Sequence, residues 1–533
     1  MDIMTLDGID LKKLVARRHP DYEKNIDHWK FAELAYRGGR AWFDAGHLFR
    51  FYKEGEEEYK DRVKRAYRAN HTKRVVETVN QYLFRESAVR DRASVPAYIG
   101  AFWDNTGNHK PISQLAREID RWVSVFGGVY VIVDRRADDP ALDSGRRADE
   151  TAPYAYLLFP KQALDMAYDG HGELVWFLAE EDYRPISLVE TGVRCRWRLW
   201  TRTHWFLIER EVDAKGNETD NFYVAEQGEH GLEAVPVVPV FAEEGAKYAA
   251  TGMIADTVYM DRTLVNYGAL LDEILYEQTF SQLVMPAEAI LPGTSEMNQI
   301  INLAKKRVFL YNSTTPGAMP SYISPDASQA GVLITSMQML KRDIYAVTGT
   351  DNDANSQSMS KGKEYASGKV RQFDHTQIEN TLLSKARTME RAEEEILRLV
   401  IAWMGRGDEL NPEWVAYPEK FDIRGLAAEL EIASELTELE APIGLLREQM
   451  KLVVDKTFPR MSVEERAERH AEIETWQPRY VFDREMEEED KKIARFVAET
   501  QADAMKDSDP GNDESVDDAS RQDLKPGGDK SPA

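Results

Sequence analysis

Cysteine is almost missing from this chain: Cys195 stands alone among 533 residues. One thiol cannot close an intramolecular disulfide, so the usual mark of a secreted scaffold is absent, and no Cys/His group has zinc-ligand spacing. Long apolar runs are missing too. Segments such as Val129 to Val133 are too short to span a bilayer, and the opening MDIMTLDGIDLKKLV has no signal-type run. Synthesis in the cytoplasm is expected. Positive charge is the third shortage. Lys and Arg number 68 against 93 Asp and Glu, a formal net charge of −25. A protein that grips DNA by neutralising phosphates is basic at least locally. Tight passive DNA binding is therefore not expected, whereas a surface that repels DNA and lets it slide is compatible with this balance. Strong acidity also suits solubility or docking to a basic partner.

Catalytic motifs are the fourth absence. Gly362 to Lys369 (GKEYASGK) has five residues between its glycines where a phosphate loop has four, and Val370 stands where a Mg²⁺-binding Ser or Thr belongs. Asp351, Asp353 and Asn355 open like a calcium loop, but Ser356 replaces the turn glycine and Gly362 the bidentate Glu. There is no G-x-G-x-x-G, H-E-x-x-H or G-x-S-x-G, and with so many acids a pair of carboxylates has no specificity. No catalytic residue, cofactor or metal is expected, and the chain does not read as an enzyme.

What is present is length and order. A chain this long holds about two to four domains. Its 42% hydrophobic and 10% aromatic residues are ordinary for a globular protein. Residues 1 to 95 read as helical, with Val63, Tyr67, Val75, Val76, Val79, Tyr82 and Leu83 at helical intervals. Arg62, Lys64, Arg65, Arg68, Lys73 and Arg74 interleave as a solvated face, or as a contact face for an acidic neighbour. Ile112 to Phe126 reads as a helix, and GGVYVIVD (Gly127 to Asp134) as a buried strand opened by two glycines. Strands follow at Ala155 to Phe159, Leu174 to Glu180, Arg194 to Trp200 and His204 to Glu209. RCRWRLWTRTHW (Arg194 to Trp205) has the residues for base stacking, but a two-faced antiparallel strand pair gives the same pattern and is preferred. VPVVPVF (Val235 to Phe241) is extended, because proline forbids a helix interior.

The most informative stretch runs from Gly252 to Trp403. One helix carries Met260, Leu264, Tyr267, Leu271 and Ile274, and a second carries Leu333, Met337, Leu340, Ile344 and Val347, both at alternating steps of four and three. Each helix thus has one apolar stripe that needs a partner. A Pro- and Gly-punctuated insert, Pro286 to Pro325, separates them, with LAKKRVFLY (Leu303 to Tyr311) passing from helix to strand. A polar loop, Gly349 to Gly362, follows, then a long helix from Gln377 to Met404. Helices are expected again at Leu426 to Leu439 and Ile443 to Val454, broken at Ala441-Pro442, at Val463 to Ile473, and from Asp483 to Ala504. The last 31 residues hold nine acids, four bases and only three of Val, Leu or Met, so a disordered acidic tail is expected.

In this order, the chain resembles the portal proteins of tailed double-stranded DNA bacteriophages. Three parts carry the resemblance. The first is Tyr59 to Asn70 with Lys73-Arg74-Val75-Val76 and Gln81 to Phe84, similar to the family's opening helices. The second is Val125 to Asp134, a glycine, hydrophobic-strand, Asp element. The third is the helix, insert, helix, loop, long-helix order. The resemblance implies an α+β, mainly helical fold. A wing would cover 1–250, stem helices 251–283 and 327–349, and a clip 284–326. A tunnel loop and long helix would cover 350–405 and a crown 406–482, with a charged C-terminal helix and acidic tail over 483–533. It implies a head–tail connector ring, usually of twelve copies, at one capsid vertex, through which DNA is packaged and ejected. Implied partners are the terminase large subunit, a head–tail connector protein, the major capsid or scaffold protein, and the DNA in the channel. Localisation would be the virion, after assembly in the host cytoplasm. Lys361, Lys363, Lys369 and Arg371 would be the DNA-facing cations of the tunnel loop. The alternative is another virion structural or scaffold-type protein, and the least favoured is a packaging nuclease.

Overall fold

The computed structural model describes residues 6 and 9–500, except 53, 136–151, 184–193, 213–217, 280–281, 287–308, 312–318, 320, 324–326, 351–367, 406–408, 422–425, 459–460, 462, 478–485 and 487–488. The expected acidic tail and the polar loop 351–367 lie outside the described residues. The chain divides into two units, Met1–Ile423 and Arg424–Ala533. It is a mixture of helices and mainly antiparallel sheets, as the α+β reading expected.

The first unit is organised around one strand. Helix Ile112–Phe126 buries Ile112, Leu115, Ala116, Ile119, Val123 and Phe126 at three- and four-residue steps, then stops at Gly127 in the left-handed conformation (φ +84°). The chain turns directly into β2, Gly128–Asp134, whose seven residues are all buried. The two glycines are required by space. A Cβ on Gly127 would lie 1.9 Å from the Ala250 carbonyl oxygen, and one on Gly128 would lie 2.1 Å from the Phe241 ring. β2 is the centre of a three-stranded antiparallel sheet with β3 (Tyr154–Leu158) and β9 (Val237–Phe241), Tyr130 lying opposite Leu158 on one side and Pro239 on the other. Pro239 is tolerated because β9 is an edge strand.

A helix of 37 residues, Gly368–Met404, packs on this sheet. Ile378, Leu382, Met389, Ile396, Leu397 and Val400 enter the main core with Val129 to Val133. Each such buried aliphatic side chain contributes about 1.5–3 kcal/mol relative to exposure. The backbone is helical nine residues earlier than Gln377, the expected start, because nothing in residues 368–376 breaks a helix: no proline follows Gly368. Polar ties hold the helix as well. Lys385 Nζ donates to Asp120 Oδ1 and Ser124 Oγ, both at 2.7 Å. Glu393 receives Arg90 through two bonds of 2.7 and 2.8 Å and the Tyr417 hydroxyl at 2.9 Å.

A second sheet is a five-stranded antiparallel meander: β4 (Ala163–Tyr168), β5 (Leu174–Tyr183), β6 (Arg194–Thr201), β7 (His204–Val212) and β8 (Glu218–Glu229). Trp200 pairs with Trp205 at the β6–β7 turn. This settles the Trp/Arg segment as a strand pair. Trp197 and Trp200 are buried, and Arg196 and Arg198 reach Glu181 at 3.1 and 3.2 Å, so these rings and cations are committed within the sheet.

One expectation needs correction. The basic residues after Arg62 are not a uniform solvated face. Arg62 is buried between the Phe51 ring, 3.9 Å away, and Glu54, which accepts from it at 2.7 and 2.8 Å. The first compact unit extends past residue 406. Residues β13 (Val415–Ala416) pair with β1 (Val89–Arg90), and Trp414, Tyr417 and Phe421 join the main core, so the first unit continues to Ile423. In the second unit, helices Leu426–Glu438 and Ile443–Thr457 form a hairpin broken at Pro442, followed by Val463–Thr475. A Lys456–Glu429 ion pair of 2.6 Å and Leu446 lie within it.

Candidate functional site: a pinned helix pair

Two helices of the first unit, Thr257–Thr279 and Ala327–Val347, pack side by side. They run antiparallel: Gly268 lies against Met337, Leu264 and Ile344 share one buried cluster, and the strands that continue the two helices pair antiparallel. The seam is a small core of Leu264, Ile344, Tyr345 and Val75, with Met260, Met337 and Leu340 packed on it. At one end the chain continues into three short strands, β10 (Gln282–Pro286), β11 (Phe309–Tyr311) and β12 (Ser321–Ile323). β10 is central, parallel to β11 and antiparallel to β12, with Gln282 opposite Ile323. A sheet that pairs the exit of one helix with the entry of the other fixes the two helix ends together.

At the other end the pair is pinned to the body by buried polar groups. Asp261 is fully buried; its Oδ2 receives Thr72 Oγ1 at 2.7 Å and the Arg68 guanidinium. Arg68 also donates to the Ala35 carbonyl at 2.8 Å and lies over the Trp42 ring. His71 Nδ1 meets the Tyr345 hydroxyl at 2.8 Å, and His28 Nδ1 meets that of Tyr259 at 3.0 Å. Asn266 accepts from Phe49 N at 2.8 Å and donates to the His47 carbonyl at 3.1 Å. Nearer the sheet, at partly exposed positions, Arg65 reaches Asp272 and Glu273 at 3.2 and 2.7 Å. Burial holds His28, His47 and His71 below the usual imidazole range; for His71 the Asp261 carboxylate opposes that shift, and Lys341, Arg74 and Arg68 reinforce it.

The structure divides the two predicted stripes. Met260, Leu264, Met337, Leu340 and Ile344 meet in the seam, so these residues find their partners within one chain. Tyr267, Leu271, Ile274 and Leu333 are partly exposed, and Val347 is 55% exposed. Other apolar side chains of the second helix are uncovered as well. Val332 is 67% exposed and Met339 62%, and with exposed Ala346 they recur every seven residues along one line of the second helix. Beside the seam is a groove of about 350 Å³ lined by Leu264, Gly268, Leu271, Met337 and, at its rim, His71 and Lys341. Sequence reading missed the row because the stronger stripe beside it absorbed the periodicity; the seven-residue recurrence was the available signal.

Lys361 and Lys363 lie outside the described residues, while Lys369 and Arg371 fall in the first turns of helix Gly368–Met404 rather than in a loop. A second cavity, about 500 Å³, contains Ser124 and Lys385 among its lining. An ammonium that donates to a carboxylate and a hydroxyl at once is a structural tie, not a general base. Among the described residues no group of three His, Cys, Asp or Glu side chains is arranged to hold a metal, and no helix is long and apolar enough to cross a membrane.

No protein-family model and no curated protein matches the sequence. Among solved structures, the chain is similar to one in the virion of a native gene transfer agent particle, at 10% identity and a TM-score of 0.36, over 69% of this chain and 85% of that one. It is similar to another in the neck of an empty gene transfer agent particle computed with C6 symmetry, at 10% identity and a TM-score of 0.37, over 70% and 85%. TM-scores this low do not define a shared fold, and nothing is carried from either particle to this chain.

Proposed function

We propose that this protein is a portal-like subunit: many copies form a ring at a capsid vertex, and double-stranded DNA passes through its channel. The observation that carries the reading is the exposed apolar row on a helix pair whose own seam is already filled. An aligned row of exposed apolar side chains is a surface that a partner can cover. The element order supports the resemblance: helix, small sheet, helix, polar segment, long helix. In this reading the helix pair is the stem, β10 to β12 belong to the clip, and the helices after Arg424 belong to the crown. The clip docks the terminase and later the head–tail connector; the major capsid or scaffold protein surrounds the ring.

The acidity fits a conduit. A channel that held phosphates tightly would stall its cargo, because each contact made must be broken. Lys361 and Lys363, with Lys369 and Arg371 at the start of the long helix, would supply weak, salt-screened contacts. The decisive experiment is the mass of the purified assembly with a negative-stain image. A ring with a central hole, near twelve copies, is the expected result. A stable monomer at micromolar concentration overturns the reading, and a closed shell or rod favours a scaffold. The lysines are tested by Lys361→Ala with Lys363→Ala, expected to leave rings intact and impair DNA packaging or retention; packaging at the normal rate removes them from the channel.

A further inference from the structure

The groove and the exposed row are two different surfaces of one helix pair, and their positions are related. Along the second helix, Val332 and Met339 bracket Ile334 and Met337 of the groove, so groove and row stand at the same level. Around that helix, at about 100° per residue, the row points about 130° away from the mean direction of Ile334, Gln338 and Lys341. One flank therefore has a hollow and the other a ridge, at one height. The hollow has an apolar floor of Leu264, Leu271 and Met337, and Gly268 deepens it: a Cβ there would come 3.5 Å from Met337 Cε. The ridge presents Val332 and Met339 about 10.5 Å apart, the rise of seven helical residues.

We propose that the groove is a socket for the neighbouring copy, and that its occupant is the Val332–Met339 row of that copy's second helix. This rests on the homo-oligomeric reading above and adds to it which surfaces meet. Because hollow and ridge share one level, rotation about an axis parallel to the helix pair brings one copy's ridge to the next copy's hollow without axial displacement. Such head-to-tail contact leaves one free socket and one free ridge at each step, and it ends only when the ring closes. A two-fold dimer would bury ridge on ridge or socket on socket and leave the other surface of each copy uncovered.

The test is disulfide trapping in a Cys195→Ser background, which removes the one native thiol. Met339→Cys combined with Gly268→Cys, mildly oxidised, is expected to give a reducible ladder of cross-linked species ending at the ring; Met339→Cys alone is expected to give none. Gln338→Cys replaces Gly268→Cys as the socket thiol if the glycine variant does not fold. Self-cross-linking of Met339→Cys alone overturns the proposal in favour of a two-fold contact. An assembly that is oligomeric by light scattering but yields no ladder with either socket thiol overturns the socket alone. A monomer by light scattering overturns the oligomeric reading with it.

Discussion

Arg68 and Asp261 are 193 residues apart in sequence and meet as a buried ion pair where the first helix of the pair leaves the body. Asp261 has Thr72 as its other donor, and its Oδ1 has no hydrogen-bond partner. Removal of the guanidinium leaves a buried carboxylate with only the Thr72 hydroxyl and backbone N–H as donors, a loss of about 3–5 kcal/mol. Arg68→Ala is therefore expected to lower the urea midpoint sharply. Arg68→Met with Asp261→Leu is expected to lose much less than the sum of the single variants, because no charge is stranded. Equal losses from single and double variants would show that packing, not charge, sets the stability here.

Gly127→Ala is expected to abolish soluble expression. The residue has φ +84°, and the added carbon would collide with the Ala250 carbonyl oxygen 1.9 Å away. Backbone opposes backbone there, and no side chain can move aside. Gly100→Ala is the control: it lies in helix Ala97–Asp104 with nothing near its would-be Cβ. It is expected to stabilise by up to about 1 kcal/mol. Comparison of soluble yield and thermal midpoint checks both.

Stability is expected to fall as pH drops below about 6.5, the ordinary imidazole value. His28, His47 and His71 are all depressed by burial, so the folded chain binds fewer protons there than the unfolded chain. Their contribution is complete above the unfolded value and is lost as pH falls toward the folded ones. Asp256 opposes the shift at His28; Arg262 and Arg68 add to it at His47. Thermal midpoints from pH 7.5 to 5.5 should decline, and His71→Gln should flatten the decline. A decline of unchanged slope in that variant would remove His71 from the account.

Val332→Asp with Met339→Asp is expected to disperse the assembly without unfolding the subunit. Both residues are exposed in one copy, so the change to subunit stability should stay within about 0.5 kcal/mol. Sedimentation of the variant and its denaturant midpoint, taken together, separate the two effects. An intact assembly would place the contact elsewhere.

Part of this was legible in the chain itself. Strand Gly128–Asp134 was readable because an unbroken apolar run between two glycines and an aspartate leaves little else for it to be. The seam of the helix pair was readable from its three-and-four spacing, and the break at Pro442 from the proline. The pins were not. Arg62 and Arg68 look like any basic residues on an amphipathic helix, and what buries them is Glu54 in one case and Asp261 in the other. Charge pairing over such separations leaves no periodic trace. The end of the first unit at Ile423 was hidden for a similar reason: β13 is two residues long and acquires its identity only by pairing with Val89 and Arg90.

The long helix has a mechanical consequence. At 1.5 Å per residue it is about 55 Å from end to end. The chain passes from the helix pair into it over residues 348–367, and it is fastened to the body at several heights: Lys385 to Asp120, Glu393 to Arg90, and Trp403 Nε1 to the Val133 carbonyl at 2.9 Å. Tension applied at its first turn along its axis loads these fastenings in shear, together, rather than peeling them one by one. The element that begins beside the polar segment is thus built like a riveted strut, and a tug there is shared by the whole depth of the core before any single bond must give.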